Sequence, residues 1–108
     1  MEGGPNDVAF TEQVLMLVES IPPGRVLTYG LVADRIGRGG PRQVGQVMAR
    51  DGGGVPWWRV VRTDGSLPHS LVTEALDRYA EEDTPLNDDG RTVDLECAVW
   101  RDAGESDQ

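Results

Sequence analysis

Apolar residues recur along the chain in short stretches broken by glycine and proline, and in most of them the spacing is helical. Phe10, Val14, Leu15, Leu17, Val18 and Ile21 share one side of a 3.6-residue repeat, with Asp7 placed to cap its start and Pro22-Pro23-Gly24 to stop it. Thr28 stands as a cap ahead of a second helix, Tyr29 to Ile36, which Gly37 ends. After the tight Gly39-Gly40 connection, Pro41 takes the first position of a third helix whose inner face is Val44, Val47 and Met48. Two short helices joined by a glycine turn predict a helix-turn-helix.

Beyond the third helix, Gly52-Gly53-Gly54 reads as a flexible loop. Arg59-Val60-Val61-Arg62 is β-prone, and Asp64-Gly65 is a hairpin signal leading to Ser66-Leu67, so a small β wing is expected there. Leu71, Val72, Ala75, Leu76, Tyr79 and Ala80 mark a fourth helix that ends in Glu81-Glu82-Asp83. Thr92-Val93-Asp94-Leu95 reads as a short strand, with Trp100 anchoring the tail. Met1 to Asn6 and Asp102 to Gln108 are polar ends expected to be mobile. The pattern gives one domain over 1–108, ordered from about residue 7 to 101, mainly α, with a winged helix or helix-turn-helix architecture and a small β wing.

A chain of 108 residues supports one modest core. The longest apolar run, Val14 to Val18, is far too short to span a bilayer, and no basic start followed by a long apolar stretch is present. A soluble cytoplasmic protein without membrane contact is expected. Cys97 and His69 are the single cysteine and histidine, so neither a disulfide framework nor a Cys/His zinc site is expected, and no cofactor is. Cys97 reads as a buried or edge residue.

The net charge of −9 argues at first against nucleic acid, but its distribution argues the other way. Gly24 to Arg62 holds seven arginines against Asp34 and Asp51, a net +5, and the flanks carry the acidic excess. Potential near a phosphate follows the local patch more than the total. All basic residues are arginine, a type suited to planar hydrogen bonding, although a GC-rich genome produces the same bias.

Three ordered motifs carry the chemistry: Ile21-Pro22-Pro23-Gly24-Arg25-Val26-Leu27-Thr28-Tyr29-Gly30, Pro41-Arg42-Gln43-Val44-Gly45-Gln46-Val47-Met48, and Pro56-Trp57-Trp58-Arg59-Val60-Val61. An isolated tryptophan pair is most often core. Here Pro56 and Arg59 bracket it, a triple glycine precedes it, and a helix-turn-helix lies upstream. In extended backbone two neighbours point to opposite sides, so one indole can pack inward while the other lines a cavity. The motifs resemble the DNA-binding domain of O6-alkylguanine-DNA alkyltransferases, which carry Pro-Cys-His-Arg where this chain has Pro56-Trp57-Trp58-Arg59. The alkyltransferase-like family is a closer match, with Trp at the cysteine position and usually His after it. The resemblance runs from about Phe10 to Trp100.

The resemblance implies a non-enzymatic protein that binds duplex DNA through the minor groove, flips O6-alkylguanine and flags it for nucleotide-excision-repair proteins, acting as a monomer. Arg42 falls at the arginine finger that fills the space of the extruded base, and Tyr29 at the tyrosine that presses on the phosphate 3′ to it. Thr28, Tyr29, Arg42, Gln43, Gly45 and Gln46 are the implied DNA contacts. Tyr29, Met48, Val55, Pro56, Trp57, Trp58, Arg59, His69 and Ser70 are the implied lesion pocket, with Trp57 facing it. As isolated residues, Arg42 would be a solvated charge, Tyr29 half-buried packing and His69 an exposed loop residue. Dealkylation needs a thiolate beside a histidine held by a carboxylate. Glu82 aligns approximately with that carboxylate, but its histidine partner is missing, and Trp57 has no nucleophilic atom, so no catalytic residue is expected. Two other readings stay open: a winged-helix regulator without lesion specificity, and a residual alkyltransferase using Cys97.

Overall fold

A computed structural model describes residues 8–101. Asp7 as a cap and both expected mobile ends lie outside the described residues. The chain runs through α1 (Val8–Ser20), β1 (Leu27–Thr28), α2 (Tyr29–Ile36), α3 (Pro41–Asp51), β2 (Val60–Val61), α4 (Val72–Glu82) and α5 (Leu95–Ala98). Single 3-10 turns occupy Gly52–Gly54, Trp57–Arg59 and His69–Leu71. The architecture is mainly α, a helix-turn-helix with a small sheet, as the pattern predicts. Among the described residues no helix is long and apolar enough to cross a membrane.

The helix ends follow the expected chemistry. The Thr28 hydroxyl accepts from Leu31 N at 3.1 Å, and Gly37 closes α2 in the left-handed conformation with its N–H on Ala33 O. Pro41 opens α3, where the Gln43 side chain accepts from Gly40 N at 3.0 Å. Phe10, Val14 and Val18 of α1 meet Val32 and Ala33 of α2 and Val44 and Val47 of α3 in one core. A second core gathers Val61, Leu67, Ala75, Tyr79, Val93 and Ala98 under α4.

The two strands divide these cores. Leu27 pairs with Val60 and Thr28 with Val61 in a parallel ladder. Because side chains alternate along a strand, Leu27 and Val60 enter the first core while Val26 and Val61 enter the second. Val26 is also bridged to Val99 on its other side, and Trp100, the expected anchor, donates its N–H to Val26 O while Arg35 stacks on its ring at 4.7 Å.

Three local expectations are corrected. Val60-Val61 does not fold back through Asp64-Gly65 into a second wing strand; its partner is β1, a pairing between distant segments that local turn chemistry cannot reveal. Arg62 to Ser66 is a closed turn, with Arg62 N on Ser66 O and Gly65 N on Arg62 O. Thr92 to Leu95 is not a strand of its own: Val93 forms one antiparallel bridge to Leu86, and the Asp94 carboxylate caps α5. Gly52-Gly53-Gly54 is a 3-10 turn continuing α3, not an open loop.

A single carboxylate ties α4 to the rest. Glu82 accepts from Arg59 Nε at 3.1 Å, from a second Arg59 nitrogen, from Trp58 Nε1 at 3.0 Å and from Gly24 N at 3.1 Å. Arg59 also donates to Ile21 O at 2.8 Å. The pair is well covered, with side chains 13% and 11% exposed. Burial alone would push the Glu82 carboxyl up, but the bonds from Arg59, Gly24 and Trp58 outweigh it and hold the group below the ordinary glutamate value.

Two predictions follow from this packing. Gly37 and Gly65 both have positive φ, but a Cβ at Gly37 meets open space whereas one at Gly65 runs into the Val93 backbone. Gly37→Ala should cost about 1–2 kcal/mol for the left-handed backbone alone, and Gly65→Ala a further 1–3 kcal/mol or so for overpacking, measured by urea unfolding. The second concerns acid. A carboxylate whose folded value is depressed stabilises the fold above its unfolded value, about 4.3 for glutamate, and loses that contribution as pH falls through the folded value. Glu82→Ala should therefore cost about 3–5 kcal/mol at pH 7 by stranding buried Arg59. The gap between wild type and variant should narrow steadily as unfolding is repeated toward pH 3; a constant gap would contradict the ionised clamp.

Candidate functional site

The site starts from the backbone at Trp57. Pro56 and the Arg59 N to Pro56 O bond, at 3.0 Å, wind Trp57–Arg59 into a 3-10 turn and not the extended strand expected. With three residues per turn, successive side chains leave in three directions. Trp57 turns toward α3, Trp58 toward α4, and Arg59 toward Ile21 and Glu82. The indoles meet edge to face at 5.5 Å, with planes 86° apart. The expected divergence of the two rings is thus present, produced by a different backbone.

Trp57 walls a cleft of about 280 Å³. Tyr29 at the start of α2, Gly45, Met48 and Ala49 of α3, Gly52 and Gly53 of the following turn, and Leu67, Pro68 and Leu71 complete the lining. None of these side chains carries a formal charge. Burial pushes the Tyr29 phenol up despite the opposing pull of Arg62, so at neutral pH it is a hydroxyl donor. Arg42 is exposed at the first turn of α3, and positions 42, 45, 46 and 49 share one helix face, so it continues the face that lines the cleft. Gln46 is exposed on the same face.

Of the residues expected at the lesion, Tyr29, Met48 and Trp57 line the cleft together with Gly45, which was expected on the DNA face. Val55 and Pro56 shape the turn that presents Trp57. Trp58 and Arg59 lie behind it. The Trp58 ring has the guanidiniums of Arg78 at 4.8 Å and Arg59 at 5.5 Å from its centroid, and Tyr79 donates its hydroxyl to Trp58 O at 2.7 Å. Glu82 therefore has a ring partner: the Trp58 N–H occupies the carboxylate. His69 and Ser70 are exposed at the rim, between Pro68 and Leu71, which do line the cleft. Thr28 is buried with its hydroxyl spent on the α2 cap, and the Gln43 amide oxygen is spent on Gly40. Their part in the site is to start the helices that carry Tyr29 and Arg42.

Sequence reasoning missed Ala49, Gly52, Gly53, Leu67, Pro68 and Leu71 as lining. Ala49 was available from the i, i+4 spacing to Gly45; the others depend on the misread turn and wing. Cys97 is exposed on α5 and does not line the cleft. Its hydrogen bond to Asp94 and that carboxylate's charge push the thiol up, away from the reactive thiolate. Among the described residues no cluster of metal-ligating side chains is present.

Comparison with known proteins agrees with this arrangement. The 6-O-methylguanine DNA methyltransferase DNA-binding domain family matches residues 9–82. A DNA base-flipping protein of Escherichia coli strain K12 is 42% identical over 99 residues, covering 85% of this chain and 74% of that protein. Another from Vibrio parahaemolyticus is 34% identical over 76 residues, 68% of this chain and 74% of that protein. The crystal structure of S. pombe Atl1 with damaged DNA containing O6-carboxymethylguanine superposes with a TM-score of 0.76 at 28% identity, covering 94% of this chain and all of that one (100%). A second structure of the S. pombe protein with DNA gives a TM-score of 0.74. With the family match over residues 9–82, the base-flipping relatives and the structural likeness in agreement, this chain belongs to the 6-O-methylguanine DNA methyltransferase DNA-binding domain family, as an alkyltransferase-like protein.

Proposed function

We propose that this protein recognises O6-alkylguanine in duplex DNA without repairing it, by docking α3 on the minor groove, flipping the lesion into the cleft and leaving the marked duplex for nucleotide excision repair. The observation that carries the reading is an uncharged cleft with an indole wall and a phenol beside it, opening on the helix face that bears Arg42, with no thiol in its lining. An alkyl group on O6 removes the N1 proton and weakens pairing with cytosine. Flipping then costs a few kcal/mol at most. Stacking on an aromatic returns about 1–3 kcal/mol per base, which is of the same size. Arg42, exposed in the first turn of α3, would fill the vacated stack. The protein would act as a monomer in the compartment that holds the DNA.

No acyl or alkyl acceptor chemistry is assigned to the cleft. Trp57 offers no nucleophile, and an indole N–H only donates, so Trp58 cannot take a proton as an activating base would. The raised thiol of exposed Cys97 argues against a residual transferase. A sequence-reading regulator would need no uncharged cleft beside its recognition helix.

Two outcomes test the reading. Incubation with radiolabelled O6-methylguanine duplex should leave the label on DNA while gel retardation favours the lesion over matched unmodified duplex, and Arg42→Ala should weaken the lesion complex by about 1–2 kcal/mol. Label on the protein sinks the non-enzymatic reading; equal retardation of both duplexes favours the regulator. The second outcome concerns the adduct. Each added methylene should gain about 0.8 kcal/mol until the cleft fills, whereas an anionic carboxymethyl group finds no charged side chain in the lining and should bind at least about tenfold more weakly than a neutral adduct of equal size. Titration of duplexes carrying methyl, ethyl, propyl and carboxymethyl adducts checks the order.

A further inference from the structure

Most arginines of the basic segment make side-chain contacts within the fold, while Arg25, Arg38 and Arg50 stay exposed at its surface. Arg59 is bound to Glu82 and Ile21 O, Arg35 to Trp100 O at 2.6 Å, Arg25 to Cys97 O at 2.7 Å, and Arg50 to Asp51 at 2.9 Å. Arg38 stacks on Phe10 at 5.4 Å. That leaves Arg42 and Arg62, both exposed and without a hydrogen bond or ion pair from their side chains among the described residues. Arg42 has its place on the cleft-lining face of α3. Arg62 lies outside the cleft lining.

The sheet register gives Arg62 a place. Leu27 lies opposite Val60 and Thr28 opposite Val61, where the parallel ladder ends; Tyr29, the first residue of α2, follows Thr28, and Arg62 follows Val61. Adjacent strands are about 4.8 Å apart. The two residues leave the same end of the ladder, and the Tyr29 phenol feels the Arg62 charge. Asp64 is the nearby carboxylate, but it is committed to its own turn, accepting from Ser66 Oγ at 2.6 Å and Ser66 N at 3.0 Å. Arg62 is itself held in place by the turn that its backbone closes with Gly65 and Ser66.

We infer that Arg62 and Tyr29 form a paired phosphate clamp at the cleft, the guanidinium and the phenol holding the same backbone phosphate beside the extruded nucleotide. This rests on the base-flipping reading above. A planar guanidinium donates two parallel hydrogen bonds to a phosphate, and the neutral phenol adds a third without competing charge. A residue on the turn after β2 thereby becomes a positioning residue for the flipped state, where the sequence motifs alone assign it nothing.

The test titrates wild type, Tyr29→Phe, Arg62→Ala and Arg62→Lys against an O6-methylguanine duplex. The same duplex is then used with an uncharged methylphosphonate placed at each nearby linkage in turn. Arg62→Ala is expected to weaken binding to the all-phosphate duplex about tenfold and to lower the slope of log K against log salt by about 0.9. Arg62→Lys should restore the slope but not the full affinity. At one linkage the neutral substitution should make Arg62→Ala nearly silent, and the same linkage should silence Tyr29→Phe. An Arg62→Ala loss of equal size on every duplex overturns the clamp, as does a silent linkage different from that of Tyr29 or a wild type indifferent to every neutral linkage. If wild type binds lesion and unmodified duplex equally, the lesion reading fails, and the methylphosphonate coupling still decides the clamp.

Discussion

The Glu82 carboxylate is the constraint on which the site depends. It collects donors from the loop after α1, through Gly24, and from the turn before β2, through Trp58 and Arg59. Two carboxylate oxygens offer about four acceptor sites, and four donors fill them. Orienting Trp58 through its N–H fixes the 3-10 turn, and that turn aims Trp57 into the cleft. A carboxylate that could hold a histidine as a proton acceptor here holds a ring that only donates. Trp58 Nε1 gives the carboxylate a donor, and an indole has no ring nitrogen that accepts a proton.

The charge balance is more economical than the sequence suggests. The local excess of +5 marks a basic segment, and most of its arginines serve as hydrogen-bond donors to backbone carbonyls and to Glu82 or Asp51. Arginine suits that work because its planar fork can satisfy buried acceptors while its stem packs against apolar neighbours. Arg59 and Arg50 are paired with carboxylates, whereas an arginine bonded to a neutral carbonyl, as Arg25 is to Cys97 O, keeps its charge for the surrounding field.

The sequence told most where a structural signal is local. Thr28, Gly37 and Pro41 each act on their own helix end through one side chain or one backbone angle, and all three do what their types predict. The inward positions of α1 and α3 followed from periodicity for the same reason. The β segment failed because Val60-Val61 finds its partner in Leu27-Thr28, more than thirty residues earlier, whereas Asp64-Gly65 carried a strong local hairpin signal that the chain spends on a closed turn against Val93. At the site, Tyr29, Met48 and Trp57 were legible from motif position. The opposite wall, Leu67, Pro68 and Leu71, was not, since it exists only once that turn is closed. Arg62 was hidden too, because its role comes from register and not from spacing.

A two-residue ladder is a slight structure to carry so much, and its strength comes from where it sits. Both strands are buried, with Leu27 and Val60 in one core, Val26 and Val61 in the other, and a bridge from Val26 to Val99 covering an outer edge. A one-residue slip would send each of these side chains into the opposite core, so the register is held by the packing of both. The same register brings Tyr29 and Arg62 out at one end of the ladder and starts α2 from Thr28, and α2 packs against α3, which carries Arg42. Groups from distant parts of the chain thus meet around one cleft because a short parallel pair, locked between two cores, leaves them no other arrangement.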